Sequence, residues 1–146
     1  MQEYCHVVSP WSAQTQFKLF GTYPLPWDFL VSGNFQSFSG IPIFATQATT
    51  SAQVLPSLGR NLTSGTVLID LVPPFTMFED RSNQVDVRLT KTVRVGRTRI
   101  QGQVDVYNAF NRSSVLTVNT RYGASWLRPI QILPGRIVKF GAQLTF

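Results

Sequence analysis

The chain has 146 residues, of which 43% are hydrophobic and 14% are charged, and its formal net charge is +6. This length suits one ordinary domain, and the charged fraction is well below the roughly 25% of soluble domains. No run of about 18 apolar residues exists, which excludes a transmembrane helix. The basic residues are scattered rather than clustered, which argues against nucleic-acid binding. Cys5 permits no internal disulfide, and with only His6 beside it a metal site is not expected.

Residues 1–14 are predicted to be a loop. They contain no basic segment followed by an apolar stretch, so they do not form a secretory signal. A protein with the membrane-type strands described next needs such a signal to reach its membrane. We therefore expect residues 1–14 to be an N-terminal remnant and the chain to be a segment of a longer protein.

Alternation of apolar and polar residues predicts two antiparallel strands over residues 15–23 and 29–40. Between them, two prolines within residues 24–28 predict a turn that ends the ladder. If the apolar faces are matched, Tyr23 lies opposite Phe29 and Leu19 lies opposite Gly33. Residues 41–82 are rich in Ser, Thr, Gly, Asn and Pro and predict a long loop, with one short strand over residues 66–72.

Alternation resumes over residues 84–95 and 98–110. Gly96-Arg97 between them matches a type II′ hairpin turn, which places Arg88 opposite Asp105. Lys91 falls on the apolar face, so either its amine reaches an interface or a bulge shifts the phase there. Residues 111–135 predict a second long loop.

Residues 136–146 predict the last strand, because every second residue from Val138 to Phe146 is apolar. The connections between the strands are short, long, short and long in turn. Membrane barrels have short periplasmic turns and long extracellular loops. The sequence therefore predicts an all-β fold: an antiparallel meander of about five long strands from a transmembrane β-barrel, with two long extracellular loops.

Several stretches resemble the C-terminal end of TonB-dependent outer-membrane receptors of the group with a carboxypeptidase-regulatory-like domain. They are Phe17-Lys-Leu-Phe-Gly-Thr-Tyr-Pro-Leu-Pro-Trp27, Val31-Ser-Gly-Asn-Phe-Gln-Ser37, Asn83-Gln-Val-Asp-Val-Arg-Leu-Thr-Lys91, the closing strand and, most specifically, Asp105-Val-Tyr-Asn-Ala-Phe-Asn111. The resemblance covers residues 15–146 and implies part of a barrel of roughly 22 strands whose lumen holds a plug.

The resemblance also implies a function. Such receptors import nutrients across the cell outer membrane with energy delivered by TonB. Their partners are outer-membrane lipid, the barrel-assembly machinery, the plug domain and TonB, with no nucleic acid, no cofactor and no enzymatic activity. Because this chain has no plug and too few strands to close a barrel, we expect a fragment that is inactive in transport by itself.

Two sets of candidate functional residues follow from the pattern and the resemblance. The apolar residues of the closing strand would form the signal read by the assembly machinery: Val138, Phe140, Leu144 and Phe146. Polar residues of the central hairpin would face the lumen and contact the plug: Arg88, Arg94, Arg99, Gln101, Gln103 and Asp105. Within this second set, Arg88 and Asp105 are expected to form an ion pair across the hairpin rather than a catalytic group.

Aromatic residues at the predicted strand ends suggest two girdles at the membrane interfaces. Tyr23, Trp27 and Phe29 would form the periplasmic one, and Phe17, Phe35 and Phe110 the other. Two alternatives stay open at this stage. Instead of a receptor segment, the chain would be a small soluble β-barrel that binds an apolar ligand inside, or a gene remnant without function.

Overall fold

The computed structural model describes residues 6–146, so Cys5 lies outside the described residues. The elements are α1 (Trp11–Gln14), β1 (Phe17–Leu25), β2 (Phe29–Phe38), β3 (Thr46–Thr50), α2 (Ser51–Leu58), β4 (Thr66–Asp70), β5 (Ser82–Val95), β6 (Thr98–Tyr107), β7 (Val115–Val118), β8 (Pro129–Ile132) and β9 (Ile137–Thr145). All the strand pairs between these elements are antiparallel. The prediction of a mostly antiparallel β fold is confirmed.

The chain divides into two compact units. The sheet unit comprises Thr15–Ser39, Arg81–Ser114 and Leu133–Phe146. The insert unit comprises Gly40–Asp80, Val115–Ile132 and the described residues up to Gln14. Each long connection of the sheet therefore contributes its middle part to the insert unit.

The sheet unit is one five-stranded sheet with the order β1-β2-β5-β6-β9. Strands that follow one another in this unit are neighbours in the sheet, as in a meander. The turns after β1 and β5 lie at one end of the sheet, here called the turn end. Both long connections leave from the opposite end. β1 and β9 are the two edges of the sheet.

The predicted register of β1 and β2 is wrong by two residues. Tyr23 pairs with Val31 instead of Phe29, and Leu19 pairs with Phe35 instead of Gly33. The reason is that β1 does not end at its first proline but continues through Pro24 to Leu25. Proline lacks the N–H needed inside a sheet, but β1 is an edge strand, where this loss is tolerated. Because the error is an even number of residues, every side chain keeps its predicted face.

The central hairpin has the predicted register. Arg88 pairs with Asp105, and Gly96 in the turn has φ 59°. Lys91 pairs with Phe29 on one side and with Gly102 on the other, in an unbroken register. The alternative of a bulge at Lys91 is therefore wrong, and Lys91 does lie on the apolar face.

The registers give the sheet two faces of opposite character. One face, here called the apolar face, carries large hydrophobic side chains that are exposed: Phe17, Leu19 and Tyr23 of β1, Leu89, Val93 and Val95 of β5, Ile100 of β6, and Val138, Phe140 and Leu144 of β9. Phe140 is 76% exposed. The other face, here called the polar face, carries mostly Arg, Lys, Asp, Gln, Asn, Ser and Thr. No element of the sheet unit covers the apolar face.

The strand ends are staggered across the sheet. At the turn end, β1 and β2 reach only the level of Lys91, whereas β5 and β6 continue to Val95 and Thr98. At the other end, β2 extends to Phe38, level with Ser82, whereas the pairing of β5 with β6 begins only at Val87. Both ends are displaced in the same direction by about four residues, or roughly 13 Å along the strands.

The insert unit is more ordered than the two predicted loops. The predicted short strand is present as β4, but it pairs with β3, which the sequence did not indicate. α2 follows β3, and its first turn is closed by Gln53 Oε1, which accepts a hydrogen bond from the N–H of Thr50 at 2.8 Å. β7 and β8 form a second small hairpin within the predicted 111–135 loop. The buried hydrophobic residues of the described chain all lie in this unit: Ile43, Ala45 and Val118.

The predicted N-terminal loop contains one helical turn, α1, and is otherwise irregular over its described part. Neither α1 nor α2 is long and apolar enough to cross a membrane.

Candidate functional site

All six residues predicted to face a lumen lie on the polar face of β5 and β6. Because Arg88 pairs with Asp105 and Arg94 pairs with Arg99, the six form one stripe from the middle of the sheet to the turn end. Gln101 and Gln103 fill the positions between. The stripe is therefore polar throughout and basic at the turn end.

The centre of the stripe is an ion pair. Arg88 Nε lies 2.5 Å from Asp105 Oδ1, and Arg88 Nη2 lies 3.2 Å from Asp105 Oδ2, so the contact is bidentate. Asp105 is 2% exposed, whereas the Arg88 side chain is 47% exposed. Lys139 of β9 pairs with Asp105 on its other side, which places a second cation on the same row. The expected ion pair across the hairpin is confirmed.

A shallow polar depression adjoins this ion pair. Its lining residues come from β2, β5 and β6 and include Ser32, Asn34, Asp86 and Tyr107. Asp86 does not contact Arg88 but accepts hydrogen bonds from Gln84 Nε2 and from the N–H of Asn108, both at 2.9 Å. The two carboxylates thus accept hydrogen bonds from different partners.

Asn108 stabilises the turn that follows β6. It is 4% exposed and has φ 51°, a conformation that asparagine tolerates better than most residues. Its Nδ2 donates to the carbonyls of Arg112 and Pro134, both at 2.8 Å, and its Oδ1 accepts from the N–H of Arg112 at 2.9 Å. One side chain therefore joins the end of β6 to the segment that leads into β9.

Asn111 makes a similar side-chain hydrogen bond to the backbone of the segment that leads into β9. It has φ 53°, and its Oδ1 accepts from the N–H of Arg136 at 2.9 Å. Residues 105–111, which carry the most specific part of the resemblance, are thus the end of β6 and the turn after it. The first of them, Asp105, is the buried member of the ion pair. The sequence marked the run but did not reveal this role.

The four residues predicted as an assembly signal lie on one side of the closing strand. Val138, Phe140 and Leu144 point to the apolar face of β9, and Phe146, which is 96% exposed, follows the strand in the same phase. β9 is an edge strand, so one row of its backbone groups has no partner within the sheet. The structure thus brings the four together on an accessible edge.

An aromatic pair lies in the insert unit. The rings of Tyr122 and Trp126 are 6.1 Å apart, and Trp126 Nε1 donates to the carbonyl of Phe44 at 3.0 Å. The N–H of Thr46 donates to Thr120, and the N–H of Tyr122 donates back to Thr46, both at 2.8 Å. These contacts hold the two inserted segments together and leave Tyr122 55% exposed.

Within residues 6–146, no three His, Cys, Asp or Glu side chains come together as a metal site would require. The expectation that Cys5 and His6 hold no metal concerns a pair of residues of which only His6 is described. What remains is a large apolar surface, a polar stripe with one ion pair, and an exposed strand edge.

Comparison of this chain with family models, with characterised proteins and with solved structures finds no match.

Proposed function

We propose that this chain is the C-terminal barrel segment of a TonB-dependent outer-membrane receptor, with lipid on its apolar face and a lumen on its polar face. The observation that carries the proposal is the division of one continuous sheet into an exposed apolar face and a polar face. A soluble sheet buries its apolar face against a second layer. Membrane barrels do the reverse, with apolar side chains outward to lipid.

The dimensions of the sheet support the proposal. Its long strands have 9 to 14 residues, and a transmembrane strand needs about 9–11 when tilted. The ends of the β1–β2 hairpin and of the β5–β6 hairpin are displaced in the same direction at both ends of the sheet, so the strands are inclined to the line that joins their ends. Strands of outer-membrane barrels tilt by about 35–45°.

The connections and aromatic residues agree with this orientation. The turn end would face the periplasm, and the insert unit would be built from the extracellular loops. Tyr23, Trp27 and Phe29 lie at or beside the turn end, whereas the rings of Phe17 and Phe35 pack 5.9 Å apart near the other end. Aromatic girdles at both interfaces are a feature of such barrels.

The alternative of a soluble barrel with an enclosed apolar ligand has less support. It requires the apolar side chains to line an interior, but Leu19, Phe140 and Leu144 are 60%, 76% and 59% exposed. The described strands also leave β1 and β9 as open edges. We therefore take the membrane segment as the better candidate.

Substituted-cysteine labelling of β9 tests the membrane role. In a C5S background, single cysteines replace residues 138–145 one at a time, and each chain is refolded into phospholipid vesicles. We expect a membrane-impermeant thiol reagent to label positions 139, 141, 143 and 145 and to spare positions 138, 140, 142 and 144. A chain that stays in the supernatant without vesicles, or that labels equally at all positions, would contradict the proposal.

Within this function, Val138, Phe140, Leu144 and Phe146 are the residues that the barrel-assembly machinery would read. A peptide of residues 136–146 should compete with a known barrel protein for assembly in vitro. The F146A peptide should lose most of this competition, and the matched T145A peptide should keep it. Equal competition by both variants would remove the assembly role from Phe146.

The polar stripe is the surface that would contact the plug: Arg88, Arg94, Arg99, Gln101, Gln103 and Asp105. Its position on the face opposite the proposed lipid contact supports this assignment. Alanine substitutions at these six positions in the intact receptor are expected to reduce nutrient uptake. Uptake that is unchanged in all six would exclude a plug contact there.

A further inference from the structure

Lys91 is exceptional in its position. Its register partners are Phe29 and Gly102, which places it on the apolar face. Among the described strand residues of that face, Lys91 alone carries a charge. Two further apolar residues of β5, Val93 and Val95, follow it toward the turn on the same face. An ammonium group in such surroundings loses hydration unless the side chain reaches a polar environment.

The lysine side chain follows the sheet toward the turn after β1. Its Nζ donates to the backbone carbonyl of Trp27 and lies 4.4 Å from the centre of the Phe29 ring. Trp27 itself is 81% exposed and lies beyond the last pair of the β1–β2 ladder. The apolar stem therefore covers the sheet, while the charged end is held at the end of the hairpin.

This arrangement leaves capacity for an anion. An ammonium group has three N–H donors, and the structure shows one of them on a protein acceptor. The indole of Trp27 is suited to the boundary between hydrocarbon and water. A cation held on the Trp27 carbonyl at the edge of an apolar surface complements the negative charge of a lipid phosphate.

We propose that Lys91 and Trp27 form a binding site for the phosphate of a phospholipid headgroup, and that this site fixes the depth of the sheet in the bilayer. The inference rests on the proposed membrane role and adds a specific ligand and residue to it. Phe29 supports the site by holding the ammonium group through its ring face.

The test measures partition of the full chain into vesicles by flotation. One vesicle type contains phosphatidylglycerol and phosphatidylcholine in equal parts. The other contains only galactosyl diacylglycerols, which have no phosphate. The chains compared are the parent, K91M, K91R and the matched control K18M, which removes the same charge from the polar face, where Lys18 lies 5.2 Å from the Phe38 ring.

We expect K91M to weaken partition into the phospholipid vesicles about fivefold, the effect of one basic residue at a phosphate-bearing surface. K91R should stay within about twofold of the parent because it keeps the charge, and K18M should do so because it lies on the other face. In galactolipid vesicles, K91M and the parent should partition alike.

Different failures are distinguishable. If the parent floats with vesicles but K91M loses no more than K18M, the phosphate site is wrong and the membrane role stands. If K91M loses equally in both lipids, Lys91 has a structural role and phosphate binding is also wrong. If the parent floats with neither vesicle, the membrane role and the phosphate site both fail.

Discussion

The sheet unit and the insert unit hold the chain together in different ways. The sheet has long ladders and no hydrophobic core of its own, since its large apolar side chains are exposed. The insert unit has short ladders but buries Ile43, Ala45 and Val118. Backbone pairing and buried polar groups therefore stabilise the sheet unit, whereas a small core and a few long-range hydrogen bonds stabilise the insert unit. Substitutions should therefore affect the stability of the two units in different ways. The free energies of unfolding given below refer to urea unfolding in detergent micelles.

The largest effect is expected from N108A in the sheet unit. The change removes three side-chain hydrogen bonds from a buried turn and places alanine at φ 51°. The loss should be about 3 kcal/mol of unfolding free energy, since unpaired buried carbonyl and N–H groups cost about 1–3 kcal/mol each. N108G, which removes the same hydrogen bonds but adopts φ 51° without strain, should lose less. Equal stability of N108A and the parent would contradict the role given to Asn108.

G40A should produce a comparable loss of unfolding free energy in the insert unit. A Cβ at Gly40 would lie 1.8 Å from the carbonyl oxygen of Glu79, so the backbone must move. We expect a loss of about 2–3 kcal/mol, the upper range for overpacked sites. Hydrogen exchange should rise at the N–H groups of Ile43 and Glu79 and stay unchanged in β5 and β6. G33A, at a glycine with open space, is the matched control; a loss there as large as in G40A would refute the steric reason.

R88M tests the ion pair on the polar face. It leaves the Asp105 carboxylate buried without its main partner. Removing one partner of a buried pair is destabilising, but Arg88 is half exposed, so we expect a loss smaller than that of N108A. R94M, on the same strand and face, should cost less than about 0.5 kcal/mol. The double variant R88M/D105L should recover most of the loss, and no recovery would show that the pair is not the cause.

The smallest effect is expected at the central turn. Gly96 has φ 59°, so G96A should cost about 1 kcal/mol through backbone strain. G21A, in β1 with open space around it, should change the free energy by less than about 0.5 kcal/mol or raise it slightly. If both variants behave alike, the turn does not require a left-handed residue.

The same contrast explains which parts of the fold the sequence could predict. Strands of the sheet unit alternate between apolar and polar residues. A register error of two residues therefore leaves every side chain on its predicted face. The register of β5 and β6 could be predicted because Gly96-Arg97 allows only one tight turn. That of β1 and β2 could not, because Pro24 reads as the end of a ladder although an edge strand accepts it.

The sequence of the insert unit contains weaker signals of its structure. Thr46 meets Thr120 across 74 positions of sequence, and no local pattern announces such a contact. α2 was missed because Pro56 lies within it. Its ends did contain usable signals, namely Thr50 with Gln53 at the start and Gly59 with φ 69° at the end.

For the candidate site, the alternation predicted the sheet face of the nine residues that lie in β5, β6 and β9, but it did not predict their contacts. The ion pair of Arg88 with Asp105 followed from the register alone. The turn held by Asn108 did not, because its partners Arg112 and Pro134 belong to a segment without periodicity. The absence of a bulge at Lys91 was one of two alternatives that only the observed register could separate.

The open edges of the sheet have a kinetic consequence. β1 and β9 each span nine residues, so each leaves about four N–H and four C=O groups without a partner in the sheet. Two chains that meet edge to edge can satisfy these groups, and the rate of such a meeting rises with the square of the concentration. Refolding yield should therefore fall on concentration and recover on dilution, so reversible unfolding is best measured in the most dilute samples that still give a signal.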